Sequence, residues 1–201
     1  FLLYDSDNEP IGQFETDDEG YIWIRKELPE GKYKLRELEP AEGYISDNSE
    51  KTFYVQKGRT TEIEWENTPE VGQIVITKRS SEFNELTGLP AGSPLSGAVF
   101  EIKAAKDIKT AGGTTLVAAN TVVDTVTTDG NGSAASKQLE LGQYIVKEKT
   151  APDGYVLDTT EHAVTLDDSH TSVNVAVQNQ KNAIVLQKVS KNDGTVMEGV
   201  T

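Results

Sequence analysis

The sequence contains no cysteine, which excludes disulfides, thiolate metal centres and a cysteine nucleophile. Histidine is nearly absent. His162 and His170 lack metal-ligand spacing and a third partner, and His170 sits in an Asp167-Asp168-Ser169 turn, so neither points to a catalytic triad or a metal. Basic residues are scarce, 19 against 33 acidic ones, and the net charge is −14. Residues 1–70 carry 18 acids and 8 bases, residues 71–182 carry 13 and 9, and the tail balances at 2 and 2. Such a surface repels nucleic acid and anionic lipid, so neither is an expected partner. No apolar run approaches the roughly 18 residues of a membrane span, and no charged-then-apolar signal segment opens the chain. It begins instead with Phe1-Leu2-Leu3-Tyr4, which reads as the inside of a strand and therefore as a piece of something longer.

What the sequence does contain is a repeat. Residues 142–155 read Gly-Gln-Tyr-Ile-Val-Lys-Glu-Lys-Thr-Ala-Pro-Asp-Gly-Tyr, and residues 31–44 read Gly-Lys-Tyr-Lys-Leu-Arg-Glu-Leu-Glu-Pro-Ala-Glu-Gly-Tyr. Each copy places a Tyr two residues after its Gly, a Glu four after the Tyr, and a Gly-Tyr closing the turn. Thr16-Asp17 and Gly20 fall on Thr128-Asp129 and Gly132, and Ile63-Glu64-Trp65-Glu66-Asn67 falls on Val175-Ala176-Val177-Gln178-Asn179. A third register matches Gln73-Ile74-Val75-Ile76-Thr77-Lys78 to Ala183-Ile184-Val185-Leu186-Gln187-Lys188. The period is about 110 residues, near the size of one domain. Residues 71–182 hold a whole unit, with strands expected near 73–79, 98–104, 121–127, 135–140, 143–149, 162–166 and 172–179, the spacing of an antiparallel sandwich. Two long loops, 80–96 and 104–119, interrupt it, and Gly112-Gly113 argues against a helix in the second. Residues 1–70 hold a unit without its first strand, and residues 183–201 hold a first strand with nothing after it. Thr201 running into Phe1 would regenerate one continuous unit, as in one period of an array or a circular permutation.

Alternate residues of a strand share a face. By that parity Ile74, Ile76 and Lys78 point together, as do Tyr144, Val146 and Glu148, and Val173, Val175, Val177 and Asn179. In the divided unit Ile184, Leu186 and Lys188, then Tyr33, Leu35 and Glu37, then Ile63, Trp65 and Asn67 repeat the arrangement. Each unit thus ends three apolar inward rows with a Lys, a Glu and an Asn. Buried charges are expensive unless neutralised or paired. Burial lowers a lysine pKa and raises that of a carboxylic acid, so the pair can exist as amine and acid, titrating together. A neutral amine beside a carboxamide can form an amide and release ammonia. The acid would hydrogen-bond the Asn carbonyl oxygen and shuttle protons, with effective molarity supplied by the fold. A buried Lys–Glu–Asn hydrogen-bond network without a covalent bond would read the same in sequence. The acidic stretches Asp5-Ser6-Asp7-Asn8-Glu9 and Asp17-Asp18-Glu19 lack the regular calcium loop and read as solvated turns.

Ile-Thr-Lys near the start, Tyr-x-x-x-Glu-x-x-x-Pro-x-Gly-Tyr in the middle and Val-x-Val-x-Asn at the end of 71–182 resemble the Cna B-type (SpaA-like, prealbumin-like) domains of Gram-positive surface adhesins and pilins. The resemblance covers essentially the whole chain. It implies an all-β fold of tandem inverse-Ig β-sandwiches, one complete and one split between the chain ends. It also implies a self-generated isopeptide bond between Lys78 and Asn179 with Glu148 as catalytic acid, and between Lys188 and Asn67 with Glu37 in the divided unit. That chemistry is one turnover per domain, not an enzyme activity, and needs no cofactor. The implied role is a structural stalk or pilin-type module of an extracellular, cell-wall-anchored protein. The alternative is an adhesin module binding a host matrix protein or glycan through loops 80–96 and 104–119. One departure is Pro40, which follows Glu37 one position sooner than Pro152 follows Glu148. No Leu-Pro-x-Thr-Gly sorting signal or pilin lysine motif is visible, so sortase polymerisation is not implied. The strand at 183–201 is expected to complement 1–70 of the same or a neighbouring chain, with head-to-tail donation between copies favoured because the tail should emerge far from the place it matches.

Overall fold

The computed structural model describes residues 1–198, all in strands, turns and loops with no helix. The first unit contains β1 (Leu2–Tyr4), β2 (Pro10–Gln13), β3 (Gly31–Arg36), β4 (Tyr44–Ile45), β5 (Glu50–Val55) and β6 (Thr68–Pro69). The second contains β7 (Val71–Ser80), β8 (Val99–Ala104), β9 (Ile108–Lys109), β10 (Thr115–Val117), β11 (Val122–Thr127), β12 (Ser133–Ala135), β13 (Leu139–Glu140), β14 (Gly142–Thr150), β15 (Glu161–Leu166) and β16 (Ser172–Asn179).

The second unit is a two-sheet sandwich. One sheet runs β11-β8-β14-β15, antiparallel throughout. The other is built around β7, which pairs antiparallel with β12 and β13 and parallel with β16. Burial alternates along β7, so that Gly72, Ile74, Ile76, Lys78 and Ser80 point inward. These meet Phe100 and Ile102 of β8, Tyr144 and Val146 of β14, Val164 and Leu166 of β15, and Val175 and Val177 of β16. The expected 104–119 loop contains the short β9–β10 hairpin, with Gly113 at φ 83° in its tip. The strand expected over 135–140 is broken. The Ile74 amide donates to the Ser136 side-chain oxygen at 3.0 Å instead of to a ladder carbonyl, which separates β12 from β13.

In the first unit one sheet, β2-β1-β3-β5, reproduces β11-β8-β14-β15 in order and pairing sense. Its opposite sheet is another matter. Residues 21–24 and 60–67 match β12 and β16 in sequence, yet neither forms a strand. Both segments would pair with a first strand, and the backbone cannot make a ladder without that partner. The core reflects this: Leu3, Tyr33 and Leu35 are its fully buried members, while Phe1, Phe53, Ile63 and Trp65 are only partly covered. The matching segment 183–188 forms no strand either, and Ile184, Val185 and Leu186 are 91–99% exposed. The junction from Gly199-Val200-Thr201 into Phe1 lies outside the described residues.

The turn after each central strand is the same despite the shifted proline. Gly43 and Gly154 adopt φ of 81° and 83°, and Tyr44 and Tyr155 each donate to the carbonyl three residues back, Ala41 and Pro152, at 3.1 Å. A left-handed residue is needed there, and glycine takes that conformation without a Cβ clash. The proline is not the determinant of the turn.

Candidate functional site: a buried lysine, glutamate and asparagine

Lys78 is on β7, Glu148 on β14 and Asn179 on β16, and the three are 0%, 2% and 1% exposed. The parallel register sets Lys78 opposite Val177 and Ser80 opposite Asn179, so both functional side chains leave the same end of adjacent strands. Glu148 reaches them from the facing sheet. Lys78 Nζ lies 3.1 Å from Glu148 Oε1 and donates to Asn179 Oδ1. Asn179 Nδ2 donates to both Glu148 oxygens at 3.0 Å. The Asp158 amide donates to Glu148 Oε2 at 2.7 Å, and the Phe100 ring lies beneath the amine, 5.5 Å from Nζ. Burial pushes the Lys78 pKa down, against the opposing hydrogen bond and charge of Glu148 and the charge of Asp158.

One detail reverses the sequence expectation. The amide presents Nδ2 to Glu148, not its carbonyl oxygen. A carboxylate is an acceptor only, so it orients the NH2 toward itself and leaves Oδ1 to the amine. Two neighbours were missed by the parity argument. The Asp158 amide enters from a loop with no alternation to reveal it. Phe100 lies on an inward face of β8, outside the three rows that the parity argument compared.

In the first unit Glu37 is 5% exposed and accepts from Asn67 Nδ2 at 2.7 Å and from the Asp47 amide at 3.3 Å. Asp47 follows Glu37 by ten residues, as Asp158 follows Glu148. Asn67 Oδ1, whose counterpart in the complete unit receives Lys78, is buried without a hydrogen-bond partner. Lys188 is exposed and is not brought to Glu37 or Asn67 within the chain. The acidic stretches are closed turns: Asp5 Oδ1 accepts the Asp7 and Glu9 amides, and Asp17 Oδ1 accepts those of Glu19 and Tyr21.

Comparison with known proteins gives the fold a family. The SpaA model, described as a prealbumin-like fold domain, matches residues 1–69 and 74–181. The trypsin-resistant surface T6 protein of Streptococcus pyogenes serotype M6 is 26% identical over 160 residues, which is 80% of this chain and 26% of that protein. Among solved structures, the Bacillus anthracis TIE protein matches with a TM-score of 0.67 at 27% identity, covering 90% of this chain and 30% of its own. The major pilin SpaD from Corynebacterium diphtheriae matches over 56% of this chain and 30% of its own, at 26% identity and a TM-score of 0.39. This chain thus spans about a quarter to a third of the length of these relatives. With the family model matching both units, the chain belongs to the SpaA family of prealbumin-like fold domains.

Proposed function

We propose that this chain is a tension-carrying stalk module of a Gram-positive surface protein of pilin type, whose complete unit ties its first strand to its last through a Lys78–Asn179 isopeptide bond. The observation that carries this reading is the enclosed contact of amine, carboxyl and carboxamide at one end of the parallel β7–β16 pair. Glu148 is placed to take a proton from Nζ at 3.1 Å and to deliver one to Nδ2 at 3.0 Å. The neutral amine then attacks the Asn179 side-chain carbon, a C–N bond forms, the bond to Nδ2 breaks and ammonia leaves. Glu148 acts first as base and then as acid, and enclosure between two sheets supplies the proximity. The reaction runs once per molecule, so the chain is a structural protein that modifies itself.

The mechanical role follows from topology. Lys78 and Asn179 are 101 residues apart, so the bond closes nearly the whole unit into a loop. On the chain-entropy model such a link stabilises by roughly 4–5 kcal/mol. Force entering along β7 passes directly to β16 and onward without opening either sheet. Single-molecule extension tests this: the parent unit resists unfolding, whereas the Lys78→Ala unit extends by the length of the enclosed loop. Equal extension of the two would contradict the reading.

The adhesin alternative has one supporting observation. The loop over 80–96 presents Leu86, 98% exposed, with Phe83 and Leu89 beside it. A panel of matrix proteins and glycans against intact and Leu86→Ser chains tests it, and equal binding by both removes it.

A further inference from the structure

We propose that His162 is a positioning residue for the Lys78–Asn179 bond: its protonated ring pairs with Asp158, holds the Asp158 amide on Glu148, and makes bond formation faster in mild acid. The inference rests on the self-linking chemistry proposed above and adds a control to that site.

Asp158 ends a strap across the site. Residues 156–160 form no strand. The Val156 amide donates to the Gln180 carbonyl at 2.8 Å, just past Asn179, and the Asp158 amide donates to Glu148 Oε2 at 2.7 Å. Asp158 Oδ1 accepts the Thr160 amide at 2.9 Å. Its Oδ2 lies 3.6 Å from His162 Nε2, beyond a hydrogen bond but within reach of an ion pair. Nε2 is itself buried and has no hydrogen-bond partner.

His162 is the outermost member of the inward row of β15, ahead of Val164 and Leu166, and sits opposite Val146 of β14. The charged groups on this inward side are Asp158, then Glu148 of β14 and Lys78 of β7. Lys147 of β14 and Lys103 of β8 lie on the outer face, both against Glu161, and β16 contains no charged residue. Burial opposes ionisation of Asp158, yet its hydrogen bonds to Thr160 and then the charges of His162 and Lys78 hold its pKa below the usual 3.8. It is therefore an anion across the range from pH 5 to 8 in which histidine ordinarily titrates.

The first unit repeats the arrangement with a permanent cation. The Asp47 amide donates to Glu37 Oε2 at 3.3 Å, and Asp47 Oδ1 accepts the Ser49 amide at 2.9 Å. Four residues after Asp47, as His162 follows Asp158, stands Lys51, on the inward row of β5 opposite Leu35. Lys51 Nζ donates to the Glu64 carbonyl at 2.6 Å, and its charge adds to the Ser49 hydrogen bonds that lower the Asp47 pKa. Asp-x-Ser/Thr-x-cation thus recurs behind each buried glutamate. In the second unit the cation exists only when the ring is protonated.

Bond formation has no other evident reason to follow pH near neutrality. The proton lost by Nζ returns on the leaving nitrogen by way of Glu148, so the step exchanges none with water. The chain has two histidines, and His170 pairs with Asp167 in the exposed β15–β16 turn at the other end of the sandwich.

The test uses the whole chain, recovered unfolded from inclusion bodies at full sequence mass and diluted from denaturant into buffers of about pH 5 to 8. Ammonia loss is timed by intact mass once circular dichroism shows folding complete. The rate is expected to rise roughly two- to fivefold from the alkaline to the acid end, the effect of a partly exposed ion pair. His162→Gln and Asp158→Asn are expected to keep the slow rate throughout, and His162→Lys the fast one. His170→Gln retains the parent profile. Rescue by lysine separates pairing with Asp158 from packing alone. A parent rate that is flat or falls toward acid, a His162→Gln rate that still rises, or a His162→Lys rate no faster than that of His162→Gln overturns the proposal while the Lys78–Asn179 chemistry stands. A chain that keeps its full mass at every pH overturns both.

Discussion

Glu148 accepts from an ammonium, a carboxamide and a backbone amide in an interior that excludes water. Removing its charge leaves Lys78 buried without an anion, which destabilises by about 3–5 kcal/mol where it has been measured elsewhere. Glu148→Gln is therefore expected to fold less stably and to retain the Asn179 ammonia, read by denaturant melts and intact mass. The Lys78 pKa is lowered from its ordinary 10.5, chiefly by burial. In Asn179→Ala, where no bond can form, the unfolded chain alone binds this proton between the lowered value and 10.5. Stability attributable to Lys78 thus rises with pH across that window, and Lys78→Met in the same background should remove the rise. Tyr144 works in the opposite sense. Its hydroxyl is buried, donates to the Glu140 carbonyl at 2.5 Å, and has a pKa pushed up to about 12 from 10.0 by desolvation and then by Glu140. Its contribution is complete below pH 10 and is lost as pH rises through 12, so Tyr144→Phe is expected to flatten the alkaline limb of the melting curve. At this scale the sequence was informative: lysine, glutamate and asparagine could be placed on inward faces by parity alone. The amide's orientation could not, because it is set by which oxygen and nitrogen find acceptors in three dimensions.

Elements follow their neighbours. Six of the seven strands expected in the complete unit form where alternation coincides with burial on one face, as in β7, β14 and β16, and the one expected over 135–140 is broken at Ser136. The same alternation over residues 60–67 produces no strand, since strand formation there depends on a partner the local sequence does not contain. The β9–β10 hairpin was hidden for a related reason: its residues are mostly exposed and carry little periodic signal. One glycine tests how tightly β7 is held. Gly132 has φ 67°, and a Cβ there would collide with the Lys78 carbonyl oxygen and lie 2.8 Å from the Leu95 nitrogen. Gly132→Ala is expected to destabilise the unit by about 1–3 kcal/mol and, under the proposed chemistry, to slow ammonia release, since that carbonyl belongs to Lys78. Gly130→Ala, with nothing near its Cβ, serves as the control.

The two units share one four-stranded sheet of the same order and pairing sense. Among the described residues the second unit encloses a continuous core between two sheets, whereas the first packs a smaller core against its one four-stranded sheet. Hydrogen exchange is expected to separate them: amides over 60–67 and 22–24 exchange rapidly, while those of β7, β14 and β16 are protected. The family assignment fixes the architecture of both units, and the proposed function turns on the chemistry inside the complete one. That chemistry is read most directly by the mass of the denatured chain, followed by tandem sequencing of its digest. The account predicts a monomer one ammonia lighter than its sequence, with a single branched peptide joining Lys78 to Asn179. An unshifted mass, with both residues recovered in separate linear peptides, would contradict it.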